Sequence, residues 1–204
     1  MPDKSDLYFH GNAVEFLEDM LKDAKNADFD IRVISAYRSF DEQMALKGQY
    51  TQVYGSGSNT FSADQGYSEH QLGTTVDIVD MDTRTTSQNF AKTEAYKWLQ
   101  DNSYRYGFIL SYPENNSFYI FEPWHWRFVG VDLARDLHRA NAQFYEWDQR
   151  KIDEYLIKIF DKDFLWTIKN SGKNSPQLTL SVRGKFACQL PKTYVICQME
   201  ELLN

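Results

Sequence analysis

Two histidines and two carboxylates lie in segments dense enough to do chemistry together. His70 sits in Ser68-Glu69-His70, and Asp77 follows seven residues later inside the β-branched run Thr74-Thr75-Val76-Asp77-Ile78-Val79. Glu122 precedes His125 by three in Phe121-Glu122-Pro123-Trp124-His125. A carboxylate inside a run otherwise suited to a buried strand is either a satisfied polar contact or part of a metal site. A catalytic zinc takes three protein ligands of nitrogen, oxygen or sulfur type and leaves its fourth position to water. His70, Asp77 and His125 would supply nitrogen, oxygen and nitrogen, with Gly73 as the turn that lets the first two face one point. Glu122 then has the chemistry of a base that takes a proton from water and returns it to a leaving amine. Strict strand alternation would put Glu122 and His125 on opposite faces, but Pro123 cannot donate to a ladder, and a break is expected there. Phe121, Trp124, Trp126 and Phe128 would wall a water-poor cleft around the pair. The plain alternative for Glu122 is an exposed glutamate at a strand end.

A further cluster lies upstream in Ser35-Ala36-Tyr37-Arg38-Ser39-Phe40-Asp41-Glu42-Gln43. An arginine at a strand-to-helix junction is placed to grip a carboxylate bidentately, and Gln43, one turn into the helix, adds a second donor. Standing alone, the same arginine would read as a surface ion pair. Of the two remaining histidines, His138 lies in the charged stretch Arg135-Asp136-Leu137-His138-Arg139 and reads as solvated, and His10 reads as a cap or packing residue.

The elements that must position these groups follow from periodicity. Val14, Leu17, Leu21 and Ala24, widened by Phe16 and Met20, predict an amphipathic helix over 11–25. Residues 30–36 read as a strand, and Ser39 with Glu42 forms a capping-box pattern opening a helix that runs to about Tyr54. After the strand around Asp77 the pattern gives a helix over about 92–102 and a strand over 108–112. A turn follows at 113–116, then an aromatic-rich pairing partner over 117–129. Residues 131–160 read as helical. From Trp166 onward, Gly172, Pro176 and Gly184 punctuate short β-like runs, so the domains expected are 1–162 and a strand-rich extension, 163–204. Cys188 and Cys197 flank a possible turn there and read equally as a disulfide or as two buried thiols.

The totals exclude several classes. With 204 residues, 42% hydrophobic and 16% aromatic, the chain has the means to build a core. The net charge of −7 and the absence of a basic run exclude nucleic acid and anionic membrane surfaces as expected partners. No apolar run approaches the ~20 residues of a membrane span. The first residues, MPDKSDLYFHGN, lack the apolar stretch of a signal peptide, which reads as a cytoplasmic protein or one whose export signal is missing.

Three blocks in order, SAYRSFDEQ, GYSEHQLGTTVDI and FEPWHWRFVG, resemble the VanY-type D-alanyl-D-alanine carboxypeptidases, within the LAS group of peptidoglycan zinc peptidases. The resemblance covers about residues 10–160. It implies zinc on His70, Asp77 and His125, Glu122 as catalytic base, and Arg38 and Gln43 on the C-terminal end of the substrate peptide. It also implies that Ser68 and Tyr119 face substrate. Thr75 stands where relatives usually carry alanine, and Phe121 where tyrosine is common. The fold implied is α+β: a small antiparallel sheet carrying the zinc site, packed with helices, plus the C-terminal extension. The activity implied is removal of a terminal D-alanine from peptidoglycan stem peptides, at the cell envelope. Alternatives are an L,D-carboxypeptidase or endopeptidase of the same group. From another class comes a catalytically silent zinc-containing module that binds wall peptide, against which the presence of Glu122 argues.

Overall fold

A computed structural model describes residues 7–83, 87–117 and 119–160. The expected C-terminal extension and both cysteines lie outside the described residues. A compact unit ending at Tyr155 carries the sheet and the site.

Four antiparallel strands form the sheet: β1 (Ile31–Ser35), β2 (Thr75–Asp80), β3 (Phe108–Leu110) and β4 (His125–Phe128), in the order β1-β2-β4-β3. β2 is central and is buried along nearly its whole length, which is why its sequence is a β-branched run instead of an alternation. Side chains alternate across a strand. Val76, Ile78, Trp126 and Phe128 therefore share one face, and Asp77, His125 and Arg127 share the other. The first face is the core. Phe128 meets Phe16 of α1 (Gly11–Asn26) at 5.1 Å between ring centroids, and Trp126 meets Tyr96 of α3 (Glu94–Asn102) at 6.3 Å.

Helix α1 buries Ala13, Leu17, Met20 and Ala24. Of the expected face, Leu17, Met20 and Ala24 are buried and Val14 and Leu21 half-buried, while Phe16 is exposed and Ala13 joins the buried set. His10 caps this helix, its Nδ1 accepting from the Asn12 amide at 3.3 Å. Helix α2 (Phe40–Tyr54) begins with the expected capping box, Ser39 and Glu42 each bonding the other's backbone N–H. Its buried positions are polar. Gln43 and Lys47, one turn apart, reach into the segment 59–64: Gln43 donates to the Ala63 carbonyl at 2.7 Å, and Lys47 to Asn59 at 2.8 Å and to the Ser62 carbonyl.

Only His125–Phe128 of the expected strand over 117–129 is strand. The residues before it bond to loops instead: the Ile120 amide to the Thr60 carbonyl, the Phe121 carbonyl to Gln88, the Glu122 amide to the Tyr112 carbonyl. The ladder runs back only to the Trp124 carbonyl, which accepts from the Ile78 amide at 2.9 Å; with the groups before it satisfied elsewhere and Pro123 lacking a donor, it goes no further. The expected helix over 131–160 is two helices, α4 (Val131–Ala140) and α5 (Gln149–Phe160). The first ends where Asn141 turns left-handed, at φ 48°, a conformation asparagine tolerates.

Gly107, at φ +83°, leads into β3, and a Cβ there would lie 2.7 Å from Phe128 Cε2 and 2.9 Å from the backbone at Gly130 and Val131. Left-handed strain and overpacking each cost about 1–3 kcal/mol, so Gly107→Ala should lower the denaturation midpoint severely. Exposed Gly48 lies inside α2 with nothing within 4 Å of its Cβ position. Gly48→Ala should raise stability by roughly 0.5–1 kcal/mol in the same urea titration.

Candidate metal centre and catalytic cavity

His70 lies in a short 3-10 turn, Glu69–Leu72, which Gly73 closes at φ +70°, so the chain reverses directly into β2. This is the turn expected between His70 and Asp77. The His70 Nδ1 lies 2.7 Å from the Ala36 carbonyl. A carbonyl only accepts, so Nδ1 carries the proton and Nε2 presents its lone pair, 3.3 Å from Asp77 Oδ2. His125, the first residue of β4, is the direct cross-strand partner of Asp77. Its Nε2 lies 2.8 Å from Glu69 Oε2, and its Nδ1 faces Asp77 Oδ1 at 3.4 Å and Glu122 Oε2 at 3.6 Å. The two imidazoles meet edge to face, 5.0 Å between centroids.

The ligand atoms of His70, Asp77 and His125 all lie within 4.8 Å of one another. Each histidine has its outer nitrogen engaged by an acceptor and its inner nitrogen turned to Asp77, whose buried Oδ1 has no hydrogen-bond partner. Lone pairs converging on one point suit a cation between them, and two imidazoles with a carboxylate are a donor set suited to zinc. Without a metal, a proton takes that role. Burial opposes charge on His125, but the Asp77 and Glu69 carboxylates beside its two nitrogens outweigh it and push its pKa up to about 10. Burial likewise opposes charge on Asp77, yet the two histidines hold its carboxyl well below the usual range.

Glu122 sits in the turn before β4, held by its amide on the Tyr112 carbonyl at 3.0 Å and by its own carbonyl on the His125 amide at 3.1 Å. That turn brings Glu122 and His125 to one site, three residues apart. Burial pushes the Glu122 carboxyl up to about 7; His125 pulls it back, and Asp77 and Glu69 raise it. A carboxyl near neutrality can both accept and return a proton.

These groups line a cavity of about 350 Å³, which also includes Arg38, Gln43, Ser68 and Tyr119. Arg38 is held by Gln43 Oε1 at 2.7 Å, by Ser35 Oγ at 3.2 Å, and by its amide on the His70 carbonyl at 3.2 Å. Among the described residues no carboxylate forms an ion pair with it. Gln43 is only 1% exposed; its Oε1 accepts from Arg38 and one N–H of its amide goes to the Ala63 carbonyl, so it aims the arginine from the cavity wall. The Ser68 hydroxyl makes no capping bond to its turn. The Tyr119 ring is half-buried, 4.9 Å from Tyr112.

Sequence reasoning missed the groups behind His125. Glu69 is buried and accepts from Arg127 Nη1 at 2.7 Å and the Tyr145 hydroxyl at 2.5 Å besides meeting His125. The Tyr112 ring packs on His125 at 4.7 Å. Glu69 had a readable signal, a carboxylate adjacent to a candidate ligand. So did Arg127, two residues from His125 and hence on the same strand face. Tyr145 had none.

Residues 6–131 match the VanY family, D-alanyl-D-alanine carboxypeptidase. A D-alanyl-D-alanine carboxypeptidase of Enterococcus faecalis (strain ATCC 700802 / V583) is 34% identical over 146 residues, covering 65% of this chain and 52% of that one. The chain spans about half the length of the curated relatives it matches most strongly. Among solved structures, the LdcB LD-carboxypeptidase superposes with a TM-score of 0.64 at 29% identity, covering 78% of this chain and 74% of that one. A mutant of the vancomycin resistance D,D-pentapeptidase VanY in complex with Zn(II) superposes with a TM-score of 0.61 at 27% identity, covering 76% and 88%. The family match takes in the turn, the central strand and the whole of β4, and the chain belongs to the VanY family of D-alanyl-D-alanine carboxypeptidases.

Proposed function

We propose that this chain is a zinc-dependent carboxypeptidase that removes the terminal D-alanine from peptidoglycan stem peptides, and therefore works at the cell envelope. The observation that carries the reading is one cavity holding four things: three converging ligand atoms, a carboxyl near neutrality, a buried oxygen without a partner, and an arginine without a carboxylate. His70, Asp77 and His125 are the metal ligands. Zinc bound there supplies Lewis-acid polarisation of the scissile carbonyl and a more acidic water.

The chain's own residues do the rest. Arg38, aimed by Gln43 and Ser35, grips the substrate's terminal carboxylate, which restricts cleavage to the last peptide bond. Glu122 takes a proton from the attacking water as the oxygen adds to the carbonyl carbon, then gives it to the departing amine as the C–N bond breaks. Ser68 and Tyr119 line the cavity and are assigned to the substrate backbone; Trp124 and Phe61 help exclude water. No helix of the described residues is long and apolar enough to cross a membrane.

A second reading, an L,D-carboxypeptidase, is favoured by the likeness to LdcB. Both readings use the same grip on the terminal carboxylate and differ in the configuration of the residue before it. Mass spectrometry of stem peptides separates them. Loss of one D-alanine from a pentapeptide, with the tetrapeptide intact, is the expected result. Trimming of the tetrapeptide to a tripeptide would establish the second reading. Internal cleavage would make the protein an endopeptidase, and no cleavage by zinc-loaded protein would leave only a binding module.

Four substitutions test the roles. Glu122→Gln should cut kcat on the order of 10²–10⁴-fold with zinc content unchanged by metal analysis. His70→Ala or His125→Ala should lose stoichiometric zinc; retention of the metal would refute the ligand set. Arg38→Ala should lower kcat/KM on free-carboxylate peptides by roughly 10–100-fold, the worth of charged hydrogen bonds. It should leave little difference between a peptide and its C-terminal amide.

A further inference from the structure

We propose that Tyr145, which lies beyond the family-matched segment, is a positioning residue for the metal ligand His125 and acts through Glu69. The inference rests on the zinc reading of the site.

Glu69 is 3% exposed at its side chain and divides its oxygens. Oε2 faces His125 Nε2 at 2.8 Å, while Oε1 takes both Arg127 Nη1 at 2.7 Å and the Tyr145 hydroxyl at 2.5 Å. Arg127 reaches only one oxygen, so it does not clamp the carboxylate plane as a fork would. The tyrosine hydroxyl, arriving at the same oxygen from another element, fixes that plane and leaves Oε2 directed at the imidazole. With Nε2–H so engaged, His125 is held as the tautomer whose Nδ1 faces Asp77.

A second contact runs in parallel. The Tyr145 ring stacks on Tyr112 at 6.2 Å and 3°, and Tyr112 packs on the His125 ring at 4.7 Å. Tyr145 therefore restrains both the hydrogen bond and the plane of the ligand. It is itself carried by a 3-10 turn, Phe144–Glu146, whose buried Phe144 lies under the Arg127 guanidinium at 4.7 Å. Residues after α4 thus complete the support of a centre whose ligands all come from the matched segment.

Tyr145 is 39% exposed, so Tyr145→Phe removes the hydroxyl without opening a core cavity. The test uses the full chain with zinc alone as probe. Zinc affinity is measured by chelator competition, and the His125 Nε2–H signal by NMR of zinc-loaded, nitrogen-15 histidine-labelled protein. Tyr145→Phe should weaken zinc several-fold, move the Nε2–H signal upfield and speed its exchange with solvent. Glu69→Gln should weaken zinc further, by roughly 10–100-fold. Tyr155→Phe, which removes a hydroxyl bonded to Asp136 at 2.6 Å nearby, should change neither readout, and this separates positioning from general loosening of the region. If Tyr145→Phe matches the wild type in both affinity and signal, the inference is overturned while the zinc reading stands. A wild-type chain that takes up no zinc would remove both.

Discussion

A carboxylate and an imidazole paired across two buried strands, Asp77 on β2 and His125 on β4, impose the constraint around which the surrounding structure is arranged. Burying such groups costs several kcal/mol each unless every polar atom is matched. The matching comes from several elements at once: Ala36, just after β1, for His70; Glu69 in the 3-10 turn for His125; Arg127 and Tyr145 for Glu69. Asp77 Oδ1, which faces the His125 imidazole, is among the buried atoms left without a hydrogen-bond partner.

The sheet separates this polar cluster from the core by alternation alone. Phe128 and Trp126 pack on aromatic side chains of α1 and α3, Val76 and Ile78 are buried on the same face, and the residues between them build the site. The rigidity of the packed face is what holds Asp77 and His125 in register. A slip of one residue between β2 and β4 would turn the ligands into the core. Helix α2 makes a comparable use of polarity. Gln43 and Lys47 spend their polar atoms on the cavity-lining segment 59–64, and Arg38, at the helix entrance, is aimed by that same Gln43.

Where the sequence misled, a local pattern was overridden by a distant partner. The face of α1 expected around Val14, Leu17, Leu21 and Ala24 is buried most fully on its Met20 side, where Ala13 joins it. The aromatic run before His125 has strong strand propensity, yet the backbone bonds of Ile120, Phe121 and Glu122 go to Thr60, Gln88 and Tyr112, which no local pattern announces. That loop is what brings Glu122 beside His125.

By itself the sequence determined the chemistry on offer: the types and order of His70, Asp77, Glu122, His125 and Arg38, the turn at Gly73, the capping box of α2 and a buried central strand. These are short-range properties, set by side-chain type, backbone freedom and periodicity. Only the tertiary structure decided which nitrogen of each histidine faces inward. It alone showed that Gln43 aims Arg38, and that Glu69, Arg127 and Tyr145 stand behind the centre. The reason is distance along the chain. Glu69 and Tyr145 are 76 residues apart and meet in one hydrogen bond, so the contact exists only once the sheet has closed over both.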